Sequence, residues 1–187
     1  MPDLILASAS PRRQELLRRL GLPFSTDAPD VDESTPLRAR EAVQELARRK
    51  ALTCVRHHPG CVILAADTLV TLDGSPLGKP ADEADAFRML RALSGKTHQV
   101  FTGVCCVAAD GSLHRGLDTS HVSFCGITDA EIRAYIATGE PMDKAGAYAI
   151  QGGAMAWIRE LRGSPSGVIG LPLTLTRDLL RACGLIF

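Results

Sequence analysis

A chain of 187 residues is long enough to bury one good core, either as a single domain or as two lobes sharing a sheet. Lys plus Arg and Asp plus Glu both number 21, so the formal net charge is zero, no global field draws the protein to nucleic acid or membrane, and any anion it binds has to meet a local cluster of cations. Cys54, Cys61, Cys105, Cys106, Cys125 and Cys183 show no CxxC spacing, and the N-terminus lacks the basic region and long apolar core of a signal peptide; the expectation is a cytoplasmic protein with reduced, buried thiols and no membrane-spanning run.

In chain order, "LILAS" at 4–8 predicts a buried strand, followed by a helix that Ser10 caps, Pro11 opens and Gly21 closes. Arg12 and Arg13 stand in the first turn of that helix, where the positive end of the helix dipole disfavours cations. A bound anion offsets that placement, since backbone N–H groups, the hydroxyls of Ser8 and Ser10 and two guanidiniums meet there. A short strand and the acidic loop "DVDES" lead to a second helix over 36–57, in which Leu37, Val43, Leu46 and Val55 recur at approximate helical spacing.

The apolar run 61–72 is interrupted by Asp67 and Thr68, and a carboxylate inside "ILAADTLV" is expensive to bury unless it is paired, hydrogen-bonded or on a metal. "DGSPLGKP" reads as turn and loop carrying Lys79, and a third helix covers "DEADAFRMLRAL". "SGKT" at 94–97 supplies only the tail of a phosphate-binding P-loop, because Leu90 stands where that motif needs glycine and the stretch follows a helix; it reads as a helix stop. Two long strands flanking the Asp110-Gly111 turn form a hairpin, and "TDAEIRAYIATG" begins with a capping box of Thr128 and Glu131. A glycine-rich loop carrying Gln151, a strand near "AMAWIREL", another glycine loop and the helix "PLTLTRDLLRAC" complete an α/β pattern with a mixed sheet. Asp67 with the carboxylates of Asp30, Asp32 and Glu33, set beside lysines and arginines, supplies parts for metal-assisted hydrolysis of a phosphoanhydride.

The ordered set "SASPRRQELL", "VDE", "LARRKA", "ADTLV", "GKP", "LSGKTHQVFTGV", "GEPMDKAGAYAIQG" and "GSPSGVIGLPL" resembles the Maf family of nucleoside triphosphate pyrophosphatases nearly end to end. The resemblance implies one domain over 1–187 with an elongated mixed sheet and flanking helices forming two lobes around a cleft, as in inosine triphosphate pyrophosphatases, usually as a homodimer. It implies hydrolysis of a nucleoside triphosphate to the monophosphate and pyrophosphate with Mg²⁺ or Mn²⁺. Pro-Arg-Arg at 11–13, Ala-Asp-Thr at 66–68 and Ile-Gln-Gly at 150–152 are similar to the branch acting on dTTP and UTP rather than the branch acting on 7-methyl-GTP. Carried over, Asp67 is the catalytic base and a metal carboxylate, and Glu33 the second metal carboxylate. Arg12, Thr68 and Gln151 are the specificity positions, while Arg13, Lys50 and Lys79 hold phosphates and Ser8 contributes to substrate binding. The resemblance also carries a different reading, a non-catalytic nucleotide-binding regulator of septum formation. Ala149, where the family often has glycine, and "GSPSGVIG", which lacks an aromatic after its serine, depart from the pattern.

Overall fold

The runs at 4–6 and 62–72 are apolar at successive positions because both faces of the sheet they enter are covered. The structure, a computed structural model, describes residues 3–186. Its elements are β1 (Leu4–Leu6), α1 (Pro11–Arg18), β2 (Ser25–Thr26), α2 (Ala39–His57), β3 (Val62–Leu72), β4 (Ser75–Leu77), α3 (Glu83–Leu93), β5 (Thr97–Val107), β6 (Leu113–Phe124), α4 (Asp129–Ile136), β7 (Ile158–Arg162), α5 (Pro165–Ile169) and α6 (Leu173–Ala182). One seven-stranded sheet runs β2-β1-β3-β5-β6-β7, with β4 paired to β3. β1 lies parallel to β2 and β3, and every other pairing is antiparallel, so the mixed α/β sheet expected from sequence is present.

Opposite faces of β3 feed different cores. Ile63 and Ala65 pack with Cys105, Val107 and the α2 residues Ala47, Ala51 and Cys54. Leu64 and Ala66 pack with Val104, Cys106, Leu16, Leu17 and Leu180 on the other side. Further along the same strands, Val70 and Val100 join Met89, Leu90, Ile132, Phe124 and Trp157 in a third core under α3 and α4. The long strands therefore tie the three cores together, and the cleft is lined by Val70 of one and Ile169 of another.

Gly103 marks a close approach of backbone to backbone in this frame. A Cβ there would meet the backbone of α2, at Val43 O, at Val43 C (2.6 Å) and at Gln44 N (2.7 Å), so bare backbone lets α2 lie against β5. Gly103 stands directly opposite Asp67 in the β3–β5 register.

Several local readings need correction. The helix predicted from 36 starts at Ala39, behind an Arg38 cap with no side-chain hydrogen bond. "DGSPLGKP" is not all loop: β4 folds back on β3, pairing Leu77 with Val70. Only 158–162 of the expected late strand is extended, since Gly153–Trp157 winds as a 3-10 helix that buries Ala154 and Trp157. The second glycine loop contains α5, capped by Ser164 through Gly167 N. Cys61 and Cys125 are only partly buried, whereas the other four thiols are buried and all six are free. The helix stop stands, with Ser94 closing α3 and Gly95 at φ 70° in the left-handed region that glycine enters without strain. The capping box of α4 also forms, Thr128 N donating to Glu131 Oε2 at 2.7 Å and Glu131 N to Thr128 Oγ1 at 3.3 Å.

Candidate active site

β1 pairs with β3 only as far as Leu64, and β4 rejoins that edge at Val70. Between those points no strand among the described residues lies beside that edge of β3, and a cavity of about 470 Å³ opens there. Ser8, Arg12, Arg13, Glu33, Lys50, Thr68, Lys79 and Gln151 all line it, so eight residues singled out from sequence meet in one place. The lining holds five cations, Arg12, Arg13, Lys50, Lys79 and Lys144, against the carboxylates of Glu33 and Asp143. This is the local cluster that a chain of zero net charge needs in order to attract a polyanion.

Asp67 and Thr68 are neighbours on a strand and so face opposite sides of the sheet. Asp67, 8% exposed, faces α2, whose Lys50 Nζ donates to Asp67 Oδ1 at 2.6 Å. The same ammonium lies 2.7 Å from Glu33 Oε1, so two carboxylates share one cation. Burial pushes the Asp67 carboxyl above the usual carboxylate range, against the pull of Lys50 and Arg13. Glu33 goes the other way, its carboxyl held below the ordinary range chiefly by the Lys50 hydrogen bond. The two carboxyls that share Lys50 are thus shifted in opposite directions, Asp67 toward higher proton affinity.

Thr68 faces α1 and α5. Arg13 reaches it from the first turn of α1, Nη2 donating to Thr68 Oγ1 at 3.3 Å, Nε to Gly170 O at 2.9 Å and Nη1 to Ser8 Oγ at 3.4 Å. These bonds lock the guanidinium and leave its remaining N–H donors for a ligand. The entrance of α1 is less open than sequence suggests, because Ser8 Oγ already accepts from Ser10 N (3.2 Å) and Ser10 Oγ from Arg13 N (3.4 Å). Arg12 points across the cleft instead, 3.6 Å from Asp143 Oδ2, and is half-exposed.

Gln151 is exposed on a loop held at both ends by side chains the sequence reading passed over. Ala149 N donates to Tyr135 Oη at 3.0 Å, and Gly153 N to Glu140 Oε2 at 3.0 Å. A Cβ on Gly152 would collide with the Glu140 carboxylate, so any larger residue there would push that brace aside. Asp143, Lys144 and Tyr148 also line the cavity and were not picked out. The fully buried Thr102 was missed as well, although one hydroxyl in the apolar stretch "VFTGVCCV" is the same kind of signal that exposed Asp67.

The family description "Maf-like protein" matches residues 3–183. The chain belongs to that family. This Maf-like chain is 52% identical over 190 residues to a dTTP/UTP pyrophosphatase of Anaeromyxobacter dehalogenans (strain 2CP-C), covering 98% of this chain and 95% of the relative. It is 52% identical over 190 residues to a dTTP/UTP pyrophosphatase of Sphingopyxis alaskensis, with 99% and 98% covered. Among solved structures, the Maf-like chain is similar to a nucleoside-triphosphatase / dITP/XTP pyrophosphatase from Mycobacterium abscessus, with a TM-score of 0.46, 19% identity and coverage of 67% of this chain and 75% of that one.

Proposed function

We propose that the cleft hydrolyses dTTP and UTP, with CTP and modified pyrimidine triphosphates as further candidates, to the nucleoside monophosphate and pyrophosphate. The observation that carries this is Asp67: a buried carboxylate with a raised proton affinity, held by Lys50 behind a cation-lined cavity, in a chain about half identical to dTTP/UTP pyrophosphatases over nearly its whole length. Water attacks the α-phosphorus, Asp67 takes the proton that water loses, and the α–β phosphoanhydride breaks with pyrophosphate leaving. Lys50 fixes the Asp67 carboxylate, while Arg13 and Lys79 neutralise the charge that develops on the leaving group.

The two carboxylates converging on Lys50 are also the oxygen donors a hard divalent cation needs. Mg²⁺ takes only one or two protein carboxylates and fills the rest of its shell with water and phosphate oxygens. Asp67 and Glu33 would hold Mg²⁺ or Mn²⁺, whose chemistry when bound is to acidify water and screen phosphate charge.

Pyrophosphate release measured over a panel of triphosphates with Mg²⁺ or Mn²⁺ tests this reading. Release from dTTP and UTP is the expected result. Release mainly from 7-methyl-GTP would overturn the substrate choice, and none with any triphosphate would favour a nucleotide-binding regulator.

The adjacent arginines should separate cleanly in the same assay. Arg12, on the rim, faces Asp143 and the loop side of the cleft, so Arg12→Ala should change the ratio of dTTP to 7-methyl-GTP turnover. Arg13, locked beneath the floor, should act on the phosphates common to every substrate, so Arg13→Ala should raise KM for all triphosphates by about tenfold or more, the scale of one lost charge-assisted hydrogen bond. Equal effects of both variants on all substrates would refute the division.

A further inference from the structure

Thr102 is fully buried and has no part in the mechanism above. In the β3–β5 register it stands directly opposite Thr68, so the backbone pairing itself brings their side chains together. Thr102 Oγ1 donates to Gly167 O at 2.9 Å, which commits its single proton. The 2.9 Å contact between Thr68 Oγ1 and Thr102 Oγ1 must therefore use the proton of Thr68. Thr68 Oγ1 also accepts from Arg13 Nη2 at 3.3 Å. Proton donation thus runs one way, from Arg13 to Thr68 to Thr102 to the Gly167 carbonyl. Thr68 lies on the cavity wall with its proton turned away from the cleft and one lone pair occupied, and the other lone pair is what it offers a ligand.

We propose that Thr102 is a positioning residue that makes Thr68 a hydrogen-bond acceptor only, so that the substrate atom meeting Thr68 is a donor. This deepens the nucleotide reading of the cleft and rests on it. Phosphate oxygens are acceptors and would set lone pair against lone pair, so Thr68 does not bind the triphosphate. Two parts of a pyrimidine nucleotide offer a donor: the imide N–H of a uracil or thymine ring, and a sugar hydroxyl. Cytosine presents an acceptor at the imide position and is disfavoured if the base is the partner. An acceptor left without its donor in a closed site loses affinity, which is how a polar pocket rejects an analogue missing one group.

The test compares binding of the non-hydrolysable α,β-imido analogues of UTP, CTP and 2′,3′-dideoxy-UTP by titration calorimetry, in the wild-type protein, Thr102→Val, Thr102→Ser and Thr68→Val. Valine keeps the branched shape in the strand and removes the acceptor that orients Thr68; serine restores it. In the wild type, the UTP analogue should bind about tenfold more tightly than the CTP analogue if the imide is the partner, or than the dideoxy analogue if the sugar is. Thr102→Val and Thr68→Val should bring that ratio close to one, and Thr102→Ser should recover it. A wild type that discriminates on neither comparison, or a Thr102→Val protein that keeps the full ratio, overturns the proposal. Absence of pyrophosphate release from UTP would overturn the hydrolytic reading alone, since these ratios are read without turnover.

Discussion

Asp67→Asn is expected to lower kcat by at least ~10²-fold, the scale of losing a positioned general base, while leaving the fold intact. Asparagine keeps the shape at 67 and an oxygen for Lys50 Nζ, now 2.6 Å from Asp67 Oδ1, but it takes up no proton from water. Stability should not fall at neutral pH. Burial raises the carboxyl's pKa in the folded protein, so the protonated form favours folding: its contribution is present below the ordinary carboxylate range and is lost as pH rises through the folded value. Above that folded value the ionised group opposes folding, and the neutral amide removes that term. Melting curves at pH 7 in the presence of a chelator, beside turnover of dTTP and UTP, check both halves. Near-normal turnover would end the assignment of Asp67 as base, and a large fall in melting temperature would make any lost activity a folding effect.

Gly103→Ala is expected to destabilise the protein by about 3 kcal/mol, the upper part of the range for overpacked cores. One methyl group there meets the backbone of α2 rather than a side chain that can rotate away. The φ of Gly103 is not in the left-handed region, so the effect is wholly steric. In a domain of this size the loss corresponds to roughly 6–12 °C in melting temperature. Activity should fall further than the unfolded fraction explains, because α2 also carries Lys50, and a helix pushed off β5 withdraws that ammonium from Asp67. Thermal and urea unfolding measure the first effect, and kcat/KM well below the melting range the second. A melting temperature within a degree or two of wild type would show that α2 has room to shift.

The signals that were easy to read in the sequence were residues at odds with their surroundings. Asp67 inside an apolar strand and two arginines at the wrong end of a helix marked the cleft without any structure, the acidic, Gly-Lys-Pro and glycine-rich loops offered Glu33, Lys79 and Gln151, and the ordered motifs of the family added Lys50. Caps and stops were equally legible, since Thr128 with Glu131 and Gly95 act within a few residues of themselves. What stayed hidden depends on partners distant in the chain. Glu140 and Tyr135 matter through backbone N–H groups at Gly153 and Ala149, and Thr102 through Thr68 and Gly167. The late strand is shorter than its sequence suggests because aromatic and apolar residues at 154–157 suit a strand as well as a buried 3-10 turn, and the packing of Trp157 against Tyr135 and Phe124 decides between them.

Placing the carboxylate that meets Lys50 and the hydroxyl that meets Arg13 on consecutive residues of β3 makes the reading frame of that strand part of the site. Nine successive pairs, from Ile63 with Val107 to Thr71 with Gln99, hold the frame against β5. Moving the strand by one residue would hand the carboxylate to the arginine side and the hydroxyl to the lysine side, with every residue still present and no group facing its partner. Sequence drift in this protein can thus change side chains along β3 far more readily than it can insert or delete a residue there.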